Sequence, residues 1–137
     1  MEIHHDTPLL IDQIGRFLPV RRCRATIYRW MTRGQQRRDL LWVKLESFDH
    51  DGARCTTLEN YWKMQLRLDA SRIVRLDELP DGVDLCLAMC GACEKFVRFE
   101  VKRNSEDRGE KLRTLPAGKR KWRQFDDYTW LCEKCGN

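Results

Sequence analysis

Cys90-Gly91-Ala92-Cys93 and Cys132-Glu133-Lys134-Cys135 decide how the second half of this 137-residue chain is read. Between Cys93 and Cys132 lie 38 residues. Two cysteines three positions apart can curl both sulfurs onto one ion. Two such knuckles supply the four thiolates that a tetrahedral Zn2+ site requires. All four ligands are then protein sulfurs, which leaves no open position for a substrate. That is the pattern of a structural zinc ion rather than a catalytic one. Gly91 and Gly136 stand where such turns favour a small, permissive residue. Cys90, Cys93, Cys132 and Cys135 are therefore the expected metal ligands. A single iron ion is the chief rival occupant. A dithiol redox pair fits less well, because two C-x-x-C motifs pair better on one ion.

Working outward, both pairs sit next to strand-like sequence. Val83, Leu85, Leu87 and Met89 alternate with Asp84, Cys86 and Ala88, which predicts a strand entering the first pair. Val97, Phe99 and Val101 alternate with Arg98, Glu100 and Lys102 as a second strand, and Tyr128 to Leu131 forms a third leading into the second pair. Asn104 to Glu110 reads as a polar loop. The expected unit is a small zinc-ribbon β domain over 83–137 with a basic insert. So little apolar sequence surrounds it that metal binding becomes part of its folding free energy. Leu79-Pro80-Asp81-Gly82 is turn chemistry at the end of a linker expected over 70–82. Cys86 is a conceivable fifth ligand, but it reads better as a packed strand residue. Cys23 and Cys55 read as packing residues too. The run Trp130-Leu131-Cys132-Glu133-Lys134-Cys135-Gly136 also resembles the second knuckle of rubredoxin, which keeps iron open. The basic surroundings and the long insert argue against an electron carrier.

Charge narrows the partners. The chain carries net charge +5, with charged residues at 34% and mean hydropathy −0.66, so its cores must be small and a metal staple would help. Seven arginines and no acid lie between Arg21 and Arg38, and six basic residues and no acid between Lys111 and Arg123. Such clusters are either phosphate footprints or solvated faces. Arg and Asp interrupt every apolar run near the N-terminus, and nothing approaches the length of a membrane span, so no membrane partner is expected. Clustered cysteines without a secretory leader point to a reducing cytosol, with nucleoid association in a prokaryote.

The first half reads as helix, helix, hairpin, helix over 10–69, after a loose leader at 1–9. Asp12 can cap a helix to about Leu18 with Ile14, Phe17 and Leu18 inward, and Pro19 stops it. A second helix runs from Arg24 to Arg33 with Ile27, Trp30 and Met31 at helical spacing, closed by Gly34. Leu41 to Phe48 is strand-like, Asp49-His50-Asp51-Gly52 a turn, and Ala53 to Thr56 the return strand. A third helix follows Thr57 to Leu68 and carries Leu58, Tyr61, Trp62 and Leu68, with Met64 at its flank.

Leu10 to Pro19, Arg24-Ala-Thr-Ile-Tyr-Arg-Trp-Met-Thr-Arg-Gly34, Val43 to Ser47 and Gly52-Ala-Arg-Cys-Thr-Thr57 together resemble the excisionase type of MerR-related winged helix-turn-helix. The likeness covers about residues 9–69. It departs from the family in the longer insert Gln35 to Trp42. The resemblance implies binding of double-stranded DNA, with the second helix in the major groove and the hairpin as wing. Residue chemistry agrees. Arg24, Thr26 and Arg29 can reach base edges or phosphates, Tyr28 can stack or bond phosphate, and Arg33, Arg37 and Arg38 suit backbone contacts. Arg54 lies beside the wing turn. A second nucleic-acid contact can come from Lys111, Arg113, Lys119, Arg120, Lys121, Trp122 and Arg123, with the indole stacking on an unpaired base. The bland reading has Trp122 packed and the cations solvated.

The expected fold is α+β, a winged helix-turn-helix plus a small zinc ribbon. The expected role is a DNA-binding accessory or regulatory protein, such as a recombination directionality factor or a transcriptional regulator, and not an enzyme. Its ribbon would reach nucleic acid or a protein partner. The alternative is an assembly subunit of a larger nucleoprotein complex, whose modules grip protein or RNA.

Overall fold

A computed structural model describes residues 3–69, 73–102, 114–117, 120–126, 129–132 and 135. For 114–117, 120–126, 129 and 130 it gives the backbone alone. The chain is α+β and divides into two compact units, Met1–Leu68 and Asp69–Asn137. No helix among the described residues is long and apolar enough to cross a membrane.

The first unit runs β1 (Leu9–Leu10), α1 (Ile11–Ile14), α2 (Arg24–Thr32), β2 (Gln35–Gln36), β3 (Trp42–Val43), β4 (Phe48–His50), β5 (Ala53–Thr56) and α3 (Leu58–Leu68). Its three-stranded antiparallel sheet has the order β1-β5-β4. The expected leader is therefore partly structural. Leu9 is buried and pairs with Thr56, and Ile3 packs against the core. Helix α1 is shorter than 12–18, and Gln13 rather than Asp12 closes its start, accepting the Leu10 N–H at 3.0 Å. Beyond it the Arg22 N–H bonds to the Gly15 carbonyl, and a Cβ at Gly15 would collide with the Arg22 carbonyl. This close return of the chain ends the helix. Leu18 still reaches the core, but Phe17, expected inward, is 46% exposed.

Helix α2 buries Ile27 and Trp30, as its spacing predicts. The N–H groups of Arg33 and Gly34 both bond to the Arg29 carbonyl, which closes the last turn. Gly34 has φ +93°, and a Cβ there would strike the Val43 carbonyl, so backbone conformation and close approach both require glycine. The insert after it forms its own antiparallel hairpin, with Gln35 opposite Val43 and Gln36 opposite Trp42. The strand expected over 41–48 is thus two short ones, β3 and β4. Between them Leu45 turns into the core, and its N–H bonds to the Trp30 carbonyl at 2.9 Å. Asp51 and Gly52, both left-handed, form the tight turn from β4 to β5. Thr57 caps α3 by accepting the Asn60 N–H at 3.1 Å. Met64, expected at the flank, is core, and Leu66, unremarked in the sequence pattern, is fully buried.

The second unit begins inside the expected linker. Val74–Leu79 forms β6, which pairs with β7 (Val83–Met89) across a turn with Asp81 and Gly82 at positive φ. Strand β8 (Phe96–Lys102) completes the antiparallel order β6-β7-β8. A second sheet has the order β11-β10-β9, from β9 (Thr114–Ala117), β10 (Arg120–Asp126) and β11 (Thr129–Leu131). The polar loop expected at 104–110 lies outside the described residues. Alternation along β7 marks two faces, and both are buried from Cys86 to Met89. Cys86 and Ala88 join Cys90, Phe99 and Cys132 in one core cluster.

Candidate functional site

Strand β7 ends at Met89 and delivers Cys90 into the buried core; β11 ends at Leu131 and delivers Cys132 beside it. The first knuckle is held by two backbone bonds. The Cys90 N–H donates to the Lys95 carbonyl at 2.8 Å, and the Glu94 N–H donates to the Cys90 carbonyl at 3.0 Å. The left-handed residue of this turn is Glu94 at φ 61°, not Gly91 as the sequence pattern suggested; Gly136 lies outside the described residues. Across the site the Cys132 N–H approaches the Cys90 sulfur at 3.4 Å.

The four sulfurs of Cys90, Cys93, Cys132 and Cys135 all lie within 4.8 Å of one another, so they can hold one metal ion. Cys93 Sγ and Cys132 Sγ are 3.7 Å apart, far longer than a disulfide bond, and all four cysteines are free thiols. Cys90 and Cys132 are buried, Cys135 is half-buried and Cys93 is exposed. The site is therefore anchored in the core and open at one edge. Cys86 lies on β7 within the same core but outside the group of four, and Cys55 is buried in the first unit. Cys23 departs from its expected packing role: it is exposed at the start of α2, its sulfur 3.4 Å from Thr26 Oγ1.

Four thiols this close cannot all ionise without a cation between them. Burial pushes the Cys90 thiol up, but the backbone N–H groups of Cys132, Cys93 and Ala92 outweigh it and bring its pKa down to about 6. The neighbouring sulfurs of Cys132 and then Cys93 push Cys135 up to about 12. At Cys93 the Lys95 N–H lowers the pKa, but burial and the sulfurs of Cys90 and Cys132 prevail and raise it. One thiolate, Cys90, is thus favoured by the backbone, while Cys93 and Cys135 are held toward the protonated form. A dication would reverse the second tendency. These backbone donors are site features that no residue-type pattern announces.

The cationic residues singled out in the first half divide by what holds them. On α2, Tyr28 is 58% exposed, Arg24 and Arg29 are exposed, and Thr26 is half-buried. Arg24 lies 3.4 Å from Asp12 on the surface. Arg33 places its guanidinium 4.9 Å from the centre of the Trp42 ring. Arg37 is built into the fold, since it bonds to Asp39 at 2.7 Å and to the Arg67 carbonyl at 3.3 Å. It also holds the Asp39 carboxyl below the usual range. Arg38 is exposed. Arg54 donates to Ser47 Oγ at 2.9 Å beside the β4–β5 turn. Of the second basic cluster, Lys111, Arg113 and Lys119 lie outside the described residues. Arg120, Lys121, Trp122 and Arg123 lie on β10, which pairs antiparallel with β9, Trp122 opposite Leu115. No protein-family model, curated protein or solved structure matches the chain.

Proposed function

We propose that this chain is a non-enzymatic DNA-binding accessory or regulatory protein, built from an excisionase-like winged helix and a zinc ribbon. One observation carries the DNA reading. Burial of Ile27 and Trp30 turns Arg24, Tyr28 and Arg29 of α2 to solvent, in the same unit as the β4–β5 hairpin. An exposed helical face of that chemistry suits base edges and phosphates of a major groove. Arg54 near the β4–β5 turn suits an adjacent phosphate. Arg37 takes a structural role in this reading.

Zinc is the proposed ion. Bonds of about 2.3 Å in a tetrahedron set neighbouring sulfurs about 3.8 Å apart. The 3.7 Å between Cys93 and Cys132 suits that spacing. Metal analysis of the purified, colourless chain should find one zinc ion; iron absorption would remove this assignment.

A filter-binding salt titration tests the DNA reading. Affinity should fall steeply with salt. Arg24→Ala with Arg29→Ala should flatten the logarithmic slope by about 2, at about 1 per phosphate contact, with helical content unchanged. An unchanged slope and affinity would remove α2 as the recognition helix. No duplex binding, together with a stably co-purifying protein or RNA, would favour the assembly-subunit role instead.

A further inference from the structure

The hairpin between α2 and β4 carries an apolar tip that the fold does not use. Leu40 and Leu41 on the loop, and Trp42 at the start of β3, are 70%, 57% and 47% exposed, three consecutive apolar residues at a hairpin turn where polar ones are expected. Leu40 also has φ +70°, a conformation that glycine or asparagine adopts readily and leucine does not. Backbone preference and solubility both disfavour leucine here, and strain of this kind concentrates at functional sites.

The tip is held rather than slack. The Arg37 N–H bonds to the Leu41 carbonyl at 2.9 Å and the Leu40 N–H to the Arg37 carbonyl at 3.0 Å. Asp39 accepts the Leu41 N–H at 3.2 Å, and Gln36 donates to the Leu40 carbonyl at 3.1 Å. Arg37 fastens the loop to α3 through the Arg67 carbonyl. Charge then decides what the tip can meet. The Asp39 carboxylate is answered by Arg37, while Arg38 is exposed on the loop and Arg33 stacks over Trp42 at its base. An apolar wedge between cations matches a base-pair step, whose apolar faces lie between two rows of phosphates.

We propose that the β2–β3 hairpin is a DNA-bending wedge: Leu40 and Leu41 enter between two stacked base pairs while Arg33 and Arg38 hold the flanking phosphates. The wedge rests on the DNA-binding reading above. Side chains used this way partly unstack one step and kink the duplex by roughly 20–90°. TA and CA/TG steps yield most easily.

The full chain is titrated at low salt onto a short duplex with one central TA step. The duplex carries a donor–acceptor dye pair at its ends and 2-aminopurine beside the step. Binding should shorten the end-to-end distance and raise 2-aminopurine fluorescence. Leu40→Asn with Leu41→Ser should abolish both signals while duplex binding persists. Asparagine accepts the left-handed conformation, so the hairpin is retained, and each substitution is also read alone. Binding without a bend, or a bend that survives the double variant, overturns the wedge and leaves DNA binding standing. No duplex binding by the wild-type chain overturns both. If sedimentation then finds a dimer that the double variant dissolves, the tip is a contact between copies.

Discussion

The two units are nearly equal in length, 68 and 69 residues, yet they bury different chemistry. The first closes on Leu9, Ile14, Leu18, Ile27, Trp30, Leu45 and Met64. Large aliphatic side chains of this kind contribute about 1.5–3 kcal/mol each on burial. Among the described residues, the second has a core cluster of Cys86, Ala88, Cys90, Phe99 and Cys132, in which three of five are cysteines and two of those belong to the sulfur cluster, while Val74, Leu76, Leu87 and Met89 are buried as well. Small thiols contribute far less apolar area, and four ligand thiolates brought together repel one another unless an ion neutralises them. The contrast teaches that units of similar size and shared sheet content can close on different chemistry: large apolar side chains in one, and in the other a cluster of sulfurs able to hold an ion.

The largest expected effect separates the halves outright. If the proposed zinc fills the site, chelation or Cys132→Ser removes a binding free energy of about 10–16 kcal/mol. The second unit should lose its sheets while the helical circular dichroism of the first persists. Equal loss in both halves would erase the distinction. A smaller effect runs the other way. Gly34→Ala forces a side chain into the left-handed region and against the Val43 carbonyl. It should cost the first unit about 1–3 kcal/mol, seen as a lower helical melting temperature with zinc content unchanged. The finest test counts protons. In the assembled cluster Cys90 has a pKa of about 6, below the ordinary 9.0, so its thiolate supports the fold above that range and the support fades as pH falls through 6. Cys135, raised to about 12, contributes in its protonated form below 9 and loses that contribution as pH rises through 12. If the metal-free second unit is unfolded, all four thiols keep ordinary values, and zinc binding at pH 7 should release close to four protons. Release of three or fewer would mean that Cys90 had already ionised in a cluster formed without metal.

What the sequence made legible follows the strength of local signals. The two C-x-x-C pairs specify the sulfur cluster because ligand spacing is short-range chemistry. Strand β7 was readable to the residue, since its alternation is strict and the Pro80–Gly82 turn marks its start. Helix α2 was readable from Ile27 and Trp30. The failures arise from tertiary and hairpin contacts that residue type and spacing do not announce. Leu9 joined a sheet because Thr56 lies opposite it, and α1 was cut short by Arg22 returning onto Gly15. Val74 to Leu79 looks like a polar joint, yet β7 turns it into a strand. The bonds from Arg37 to Asp39 and to the Arg67 carbonyl likewise carry no local signal. The backbone donors around Cys90 belong to the same class, because any residue can supply an N–H.

Cys132 follows Cys90 by 42 positions. Ribosomes add about 5–20 residues each second, so the early knuckle emerges about 2–8 s before its counterpart. During that interval a nascent chain has only half a coordination sphere to offer, and any ion it captures must be held by two sulfurs and water. The first unit, whose core is complete by Leu68, has no such wait. On the proposed metal reading, translation speed and the supply of free metal in the cell bear on the yield of the second half of the molecule and leave the first untouched.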